Sequence, residues 1–265
     1  MSRAIRDRFA NAGGRPLFIP YVTAGYPTLD DTVPILLALE SAGADVIEIG
    51  VPFTDPLADG ATIQHANQVA LDAGITFEGC LQIVRDARKA GLTAPILFMG
   101  YYNPVMSFGE ESVAAAVSEA GADGFIMVDL PPEEAGSFLA ACAKHDLSFV
   151  PLIAPTTADD RIASVAATAD AFVYCVSLTG TTGQRDAVAQ DLEPFLARVR
   201  RHTDLPIAVG FGISEREHVE QVGAVAEAVV IGSAIISAID AADPSKRAQA
   251  VKEYVERVTR PQSDR

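Results

Sequence analysis

Short apolar runs alternate along the chain with longer segments in which apolar residues recur at helical spacing. The short runs are rich in Val, Ile, Leu, Phe and Ala, as in parallel strands that are buried on both faces. They predict strands at 17–22, 45–50, 95–99, 123–128, 148–153, 170–176, 205–209 and 226–231. Helices are predicted between them at 30–42, 62–72, 78–90, 110–120, 133–144, 190–201 and 214–222, and a last amphipathic segment covers 245–258.

A weak repeat marks the helix-to-strand junctions. Ala-Gly-Ala-Asp occurs at 42–45 and 120–123, and Val-Gly-Ala occurs at 222–224, in each case just before a predicted strand. Each copy is typical of a helix that ends in a glycine cap. Eight strands with helices between them, in about 250 residues, predict a (β/α)₈ barrel. We expect one TIM-barrel domain over 1–265, with short extra helices near the N-terminus and after the eighth strand. A doubly wound sheet is disfavoured because no G-x-G-x-x-G follows the first strand.

The net charge of −15 narrows the classes of function. It argues against nonspecific nucleic-acid binding, which needs a basic surface, and it requires an anionic substrate to bind through local dipoles. Three separated cysteines and four scattered histidines suggest neither a disulfide framework nor a metal site. The charged N-terminus has no apolar core of signal-peptide length, and no segment is long and apolar enough to span a membrane. We therefore expect a cytoplasmic protein.

One carboxylate lies inside a predicted buried strand. Glu48 sits between Ile47 and Ile49, near the C-terminal end of the second strand, where barrel enzymes carry their catalytic groups. A charge in such a run costs free energy unless the site pairs it or uses it. The following loop carries Asp55 and Asp59, although both stand in ordinary turn contexts. We interpret Glu48 as an acid–base group, and the residues alone leave Asp59 as a turn residue.

Two glycine-containing loops follow the seventh and eighth predicted strands, where barrels often bind phosphate. They are 210–214, which contains Gly212, and 232–236, which contains Gly232 and Ser233. Glycines permit close approach of backbone N–H groups to an anion, and a helix that begins at Ser233 offers its positive dipole end. A third loop, 177–186, is rich in Gly and Thr, and either a mobile lid or a plain surface loop fits it.

Large side chains at other strand ends form a candidate pocket for a flat apolar ligand. They are Tyr21, Phe98, Tyr101, Ile126, Tyr174 and Phe211. Taken one at a time, such residues more often belong to the core than to a pocket. The residues by themselves therefore predict a phosphate-binding barrel enzyme that uses carboxylate acid–base chemistry, and they go no further.

Several blocks together resemble the tryptophan synthase α-subunit family. These are 20–27 (PYVTAGYP), 48–60 (EIGVPFTDPLADG), 101–104 (YYNP), 179–183 (TGTTG), 210–214 (GFGIS) and 232–234 (GSA). The block at 48–60 is specific to that family, whereas the phosphate loops are shared with many barrels. Tyr21 stands where the family often has Phe, and this adds a hydroxyl at the edge of the pocket.

The resemblance implies a reaction and a role for each matched residue. The reaction is retro-aldol cleavage of indole-3-glycerol phosphate to indole and glyceraldehyde 3-phosphate, without a metal or organic cofactor in this chain. Glu48 becomes the acid–base group and Asp59 the acceptor of the indole N–H hydrogen bond, in place of the turn-only interpretation. The implied phosphate-binding residues are Gly183, Gly212, Gly232 and Ser233. The implied substrate-binding residues are Tyr21, Tyr101, Ile126, Tyr174 and Phe211.

The same resemblance implies a partner, a pyridoxal-phosphate β subunit that receives indole in an αββα complex. The contact would involve the loop 53–60 and the segment 102–104. Three alternatives remain: a free-standing lyase that releases indole, a non-catalytic activator of a β subunit, and another phosphate-binding barrel enzyme of the same pathway. A synthase would need a lysine at a strand end, whereas the lysines here fall on helix-like segments at 89, 144, 246 and 252.

Overall fold

The computed structural model describes residues 2–176, 187–210 and 212–260, and for residues 187–191 only the backbone. The strands are β1 Leu17–Thr23, β2 Ile47–Gly50, β3 Ile96–Gly100, β4 Gly124–Met127, β5 Ser148–Val150, β6 Leu152–Ile153, β7 Val173–Val176, β8 Ile207–Gly210 and β9 Ala228–Ile231. The helices are α1 Arg3–Ala10, α2 Thr32–Ser41, α3 Ala61–Asp72, α4 Phe77–Lys89, α5 Tyr102–Phe108, α6 Glu110–Ala120, α7 Gly136–Lys144, α8 Asp159–Ala166, α9 Ala187–Arg200, α10 Arg216–Gly223, α11 Ser233–Asp240 and α12 Arg247–Thr259. A short 3₁₀ helix, Pro244–Lys246, precedes α12.

The strands form one parallel sheet in the order β5-β4-β3-β2-β1-β9-β8-β7-β6. The two strands at its ends, β5 and β6, are consecutive in the chain and are separated only by Pro151. Proline has no N–H to donate to the ladder, but the carbonyl of Pro151 still accepts from the Tyr174 amide at 3.0 Å. Because β5 and β6 are two halves of one strand position, the sheet closes into an eight-position barrel. The predicted (β/α)₈ fold is confirmed.

Strand alternation divides the core into two layers. In β2, Ile47 and Ile49 pack in the large cluster between the barrel and its helices. Val46, one residue before the strand, belongs to the cluster inside the barrel. Successive side chains of a strand point to opposite faces, so Glu48 faces the interior with Val46. The same alternation places Tyr174 inside, whereas its neighbour Cys175 packs outside.

The extra helices were predicted correctly, but two other helices were not. Helix α1 closes the N-terminal end of the barrel, where Ile5 joins the interior cluster and the ring centroid of Phe9 lies 5.3 Å from that of Phe172. Helix α11 follows the last strand. The sequence did not predict α5 or α8, since both are short and the Pro104 of α5 is typical of a turn. Pro104 is tolerated because it lies in the first helical turn, where N–H groups lack intrahelical partners.

The repeated glycines do not all have one role. Gly43 and Gly121 have φ angles of +107° and +93° next to helix ends, which confirms the two predicted glycine caps. The third prediction was wrong, because Gly223 is the last residue of α10 and Ala224 is its C-cap. A Cβ at Gly223 would lie 2.7 Å from Cγ of Pro16, so that glycine permits close packing of α10 on the chain before β1. In the described ranges, no helix has both the length and the apolar character to cross a membrane.

Candidate active site

Glu48 is a fully buried acid inside the barrel, near the C-terminal end of β2. In the ladder it lies beside Tyr21 of β1 and Leu97 of β3. Its side chain is inaccessible to solvent, and neither carboxyl oxygen has a hydrogen-bond partner among the described residues. Burial raises the pKa of Glu48 well above its ordinary value of 4.5, because the charged form loses its hydration. Burial therefore favours the protonated form of Glu48, and both of its oxygens are without hydrogen bonds from the described residues.

Two buried tyrosines flank Glu48 within the barrel. The ring of Tyr21 lies over Gly50 at the end of β2, and the ring of Tyr174 lies over Gly210 at the end of β8. A Cβ at either glycine would come within 3.0 Å of the tyrosine ring, so both strand ends require glycine. Burial raises the pKa of both phenols, because the charged form would lose its hydration. Both hydroxyls are therefore neutral hydrogen-bonding groups.

The loop between β2 and α3 carries Asp59, which is half-buried. The Asn67 amide Nδ2 donates to Oδ2 of Asp59 at 3.1 Å, and Gln64 Nε2 donates to the Asp59 carbonyl at 2.8 Å. Burial raises the pKa of Asp59 from 3.8 to about 6, although hydrogen bonds from Asn67 and Tyr101 oppose that shift. Asp59 is thus held in place and ionised at neutral pH. Asp55 is exposed on the same loop and accepts a hydrogen bond from the neighbouring Thr54 hydroxyl.

Tyr101, at the end of β3, supports this loop from the other side. The Ala58 amide donates to the Tyr101 hydroxyl at 3.0 Å, and the Phe53 ring stacks on the Tyr101 ring with 5.1 Å between centroids. Burial raises the pKa of Tyr101 to about 12. The structure therefore brings Tyr101, Asp59, Tyr21 and Glu48 to one end of the barrel.

The predicted pocket residues separate according to strand alternation. Ile126 and Tyr174 belong to the interior cluster. The prediction for Phe98 was wrong, because Phe98 points outward and packs between the barrel and its helices. Its neighbours Leu97 and Met99 face the interior instead, as strand alternation requires once Phe98 faces outward.

The predicted phosphate loops follow the neighbouring strands β8 and β9. Gly212 has a φ of +73°, which a side chain disfavours. Gly232 directly precedes α11, and Ser233 is its exposed first residue. The first N–H groups of α11 lack intrahelical acceptors and suit an anion. Gly183 and Phe211 lie outside the described residues.

Two amide residues of the site were missed by the sequence analysis. Gln64 and Asn67 are three residues apart on α3, so they share the helix face that meets the preceding loop. This spacing was a usable signal once Asp59 had become a candidate. In the part of the chain that the structure describes, His, Cys, Asp and Glu side chains do not form a cluster of three or more suited to a metal ion.

A parallel barrel with a buried acid and a loop carboxylate at the C-terminal strand ends defines an acid–base enzyme of the TIM-barrel class. Residues 9–262 match the sequence model described as "Tryptophan synthase alpha chain", and the chain belongs to this family. The alpha chain of Roseiflexus sp. (strain RS-1) is 49% identical over 257 residues, which cover 96% of this chain and 98% of that protein.

Two further similarities differ in how much of the other protein they cover. The tryptophan synthase of Saccharomyces cerevisiae is 49% identical over 97% of this chain, but the chain spans only 37% of that protein. The solved alpha subunit of Legionella pneumophila superposes with a TM-score of 0.89 at 35% identity, covering 97% of both chains. A chain of Mycobacterium tuberculosis tryptophan synthase gives a TM-score of 0.85 at 30% identity, covering 96% of this chain and 97% of that one.

Proposed function

We propose that this chain cleaves indole-3-glycerol phosphate into indole and D-glyceraldehyde 3-phosphate, as a single TIM-barrel domain that needs no metal or organic cofactor of its own. The observation that carries the proposal is Glu48, a buried and unpaired acid at the C-terminal strand ends. No hydrogen bond from the described residues offsets the free-energy cost of burying this carboxyl group. Such a group is typical of a site in which the substrate is the partner. Family membership supplies the substrate and the class of reaction, a carbon–carbon lyase.

In this mechanism Glu48 transfers protons at two places on the substrate. The protonated carboxyl donates to the indole ring carbon that carries the glycerol chain, and the bond between that carbon and the chain then weakens. The resulting carboxylate accepts the proton of the adjacent glycerol hydroxyl as the bond breaks and the aldehyde forms. The raised pKa of Glu48 suits the first step, because burial favours the protonated form that donates the proton.

Asp59 has the complementary role of an anion. An ionised Asp59 accepts the indole N–H hydrogen bond and stabilises the positive charge that develops on the ring when its carbon is protonated. Its pKa of about 6 allows this role near neutral pH. Two carboxyl groups with different protonation states then divide the acid and electrostatic roles between them.

The two phosphate loops position the substrate. Gly212, Gly232 and Ser233 present backbone N–H groups, which bind phosphate without lysines and so reconcile an anionic substrate with a net charge of −15. Gly183 completes this set in the proposal. Tyr21, Tyr101, Ile126, Tyr174 and Phe211 surround the indole and glycerol parts.

The proposed partner is a tryptophan synthase β subunit in an αββα complex in the cytoplasm, with pyridoxal phosphate on the β subunit only. Support comes from three exposed apolar side chains near the expected contact. Leu57 of the loop is 93% exposed, and Met106 and Phe108 of α5 are 62% and 63% exposed. Large exposed apolar side chains at the expected contact suit a protein interface.

The experiment is incubation of the chain with indole-3-glycerol phosphate, alone and with a β subunit, followed by measurement of released indole. Glu48→Gln is the matched control, and we expect about 10²–10⁴-fold less indole from it because the acid–base group is lost. If the chain releases indole but does not bind a β subunit, the free-standing lyase is favoured. Stimulation of a β subunit without any cleavage would favour the non-catalytic activator.

A further inference from the structure

Asn67 is a buried amide whose hydrogen bonding is only half satisfied. The residue is 3% exposed, on the face of α3 that meets the β2–α3 loop. Its Nδ2 donates to Oδ2 of Asp59 at 3.1 Å, while its Oδ1 has no partner among the residues that the structure describes. Burial of an amide costs free energy unless its polar atoms are bonded. A hydrophobic residue would pack at this helix position without that cost, so the amide needs another reason.

The reason lies in what Asn67 does to the carboxylate. A donor fixed on Oδ2 restrains the rotamer of Asp59 and so sets the direction in which the carboxylate points. The donor itself is held by the rigid helix α3, whereas Asp59 belongs to a loop. Gln64, three residues earlier on the same face, holds the backbone of that loop by bonding to the Asp59 carbonyl. Together the two amides attach the loop to the helix at Asp59.

We propose that Asn67 is a positioning residue for the lyase reaction, which orients the Asp59 carboxylate toward the indole nitrogen. This inference rests on the proposed function for its substrate, but its structural half concerns only the pair of side chains. Asn67 does not touch the substrate and acts through Asp59. Gln64 restrains the loop backbone and is a weaker contributor, because its amide is exposed to solvent.

The other groups that act on Asp59 limit what Asn67 controls. Tyr101 also donates to the Asp59 carboxylate and lowers its pKa, while burial raises it. The charge of Asp59 in turn acts on the hydroxyls of Tyr101 and Tyr21. With Tyr101 in place, loss of Asn67 removes one of two donors, and it should move the titration of Asp59 upward without abolishing ionisation.

The test compares Asn67→Leu and Asn67→Ala with the wild type and with Gln68→Leu. Gln68 lies on the same helix, and its amide donates to Asp72 on the exposed face, so Gln68→Leu should leave indole release unchanged. Each Asn67 variant should lower kcat for indole release about tenfold with little change in KM, since a hydrogen bond to a charged group is lost at the transition state. The acidic limb of the pH profile should move to higher pH.

A double-mutant cycle decides whether Asn67 acts through Asp59. In an Asp59→Asn background, Asn67→Ala should cause no further loss of kcat. A full additional loss in that background would overturn the proposal, because Asn67 would then have a role of its own.

A measurement on the folded wild type covers the case in which the variants do not fold. The side-chain amide signal of Asn67, followed by nitrogen NMR, should titrate with the same midpoint as the Asp59 carboxyl carbon. An Asn67 signal that ignores the titration of Asp59 would also overturn the proposal. If the wild type releases no indole while the two signals titrate together, the proposed reaction fails and the pairing of Asn67 with Asp59 survives.

Discussion

At the scale of the residue, the site depends on one acid that is unfavourable for folding. Glu48 gains nothing from its buried position in the described protein, since neither oxygen is bonded there. A buried carboxyl with a raised pKa binds its proton in the folded state at pH values where the unfolded chain has already lost it. Stability then falls as pH rises from about 4.5 through the folded-state pKa. Catalytic groups of this kind commonly cost stability.

Because protonation of Glu48 is linked to the free energy of unfolding, Glu48→Gln should change the pH dependence of stability as well as nearly abolish activity. The neutral amide has almost the same shape and does not titrate, so the variant should be more stable than the wild type at pH 8 and equal to it near pH 4. Urea unfolding at several pH values measures the difference. Arg85→Gln is a suitable control, because that pair with Glu78 is on the surface. A stability difference that does not depend on pH would mean that Glu48 is charged in the folded state or paired in solution.

How far a residue's role could be predicted depended on its immediate neighbours in the chain. Glu48 was identifiable, because an acid between two isoleucines of a buried strand costs free energy and is seldom kept there without a function. Asp59 was not identifiable from its own context, since Asp-Gly is an ordinary turn, and only the family resemblance indicated a function. Asn67 became identifiable only after Asp59 was a candidate, because its partner lies eight residues away across a loop and a helix turn.

At the scale of the element, the strands were predictable and their faces only partly so. The predicted segments, most of them continuous apolar runs, cover every barrel strand, but a run that is apolar on both faces hides which residues point inward. Phe98 was therefore assigned to the pocket, whereas it packs outward and Leu97 and Met99 face the barrel interior. The glycines at strand ends meet a packing constraint that the sequence pattern did not reveal. Tyrosine rings from neighbouring strands lie over Gly50 and Gly210 and leave no room for a Cβ.

Gly50→Ala tests that constraint. An added Cβ would overlap the ring of Tyr21, so we expect a loss of about 1–3 kcal/mol in the free energy of unfolding, as for other overpacked sites. Gly136→Ala is the matched control, because nothing lies within 4 Å of its added Cβ and the residue is helical. Denaturant unfolding compares the two variants. Equal stabilities would mean that the Tyr21 ring moves aside at no cost.

Ser233→Asp tests the element that follows β9. A carboxylate at the first residue of α11 would compete with a phosphate for the free N–H groups there and repel it. Affinity for glyceraldehyde 3-phosphate, measured by calorimetry, should fall at least about tenfold, while thermal stability changes little. Ser237→Asp, one turn further along the exposed side of the same helix, controls for the added charge. Unchanged affinity in Ser233→Asp would place the phosphate elsewhere.

At the scale of the whole molecule, Tyr101 links the active-site loop to helix α5. Tyr101 holds the loop through the Ala58 amide and the Phe53 ring. The next residue, Tyr102, begins α5, which presents Met106 and Phe108 to solvent, while Leu57 is exposed on the loop itself. A partner that covers these three side chains would therefore contact both the loop that carries Asp59 and the helix that follows Tyr101. Coupling between a partner and the chemistry requires such a shared element.

Because Tyr101 connects the loop that carries Asp59 to α5, we predict that a β subunit raises the rate of indole release strongly above that of the isolated chain. The gain comes from holding Asp59 in reactive geometry, which can contribute several kcal/mol. By reciprocity, a phosphate ligand bound at the barrel should tighten the complex with the β subunit.

Leu57→Asp should raise the β-subunit concentration needed for half-maximal stimulation at least about tenfold, because a charge would be buried in the contact. Leu29→Asp is its control, since Leu29 is an exposed leucine of the β1–α2 loop. Steady-state indole release against β-subunit concentration measures all of these effects. Equal rates with and without saturating β subunit would show that α3 and Tyr101 alone organise the loop, and the free-standing lyase would then be the better description.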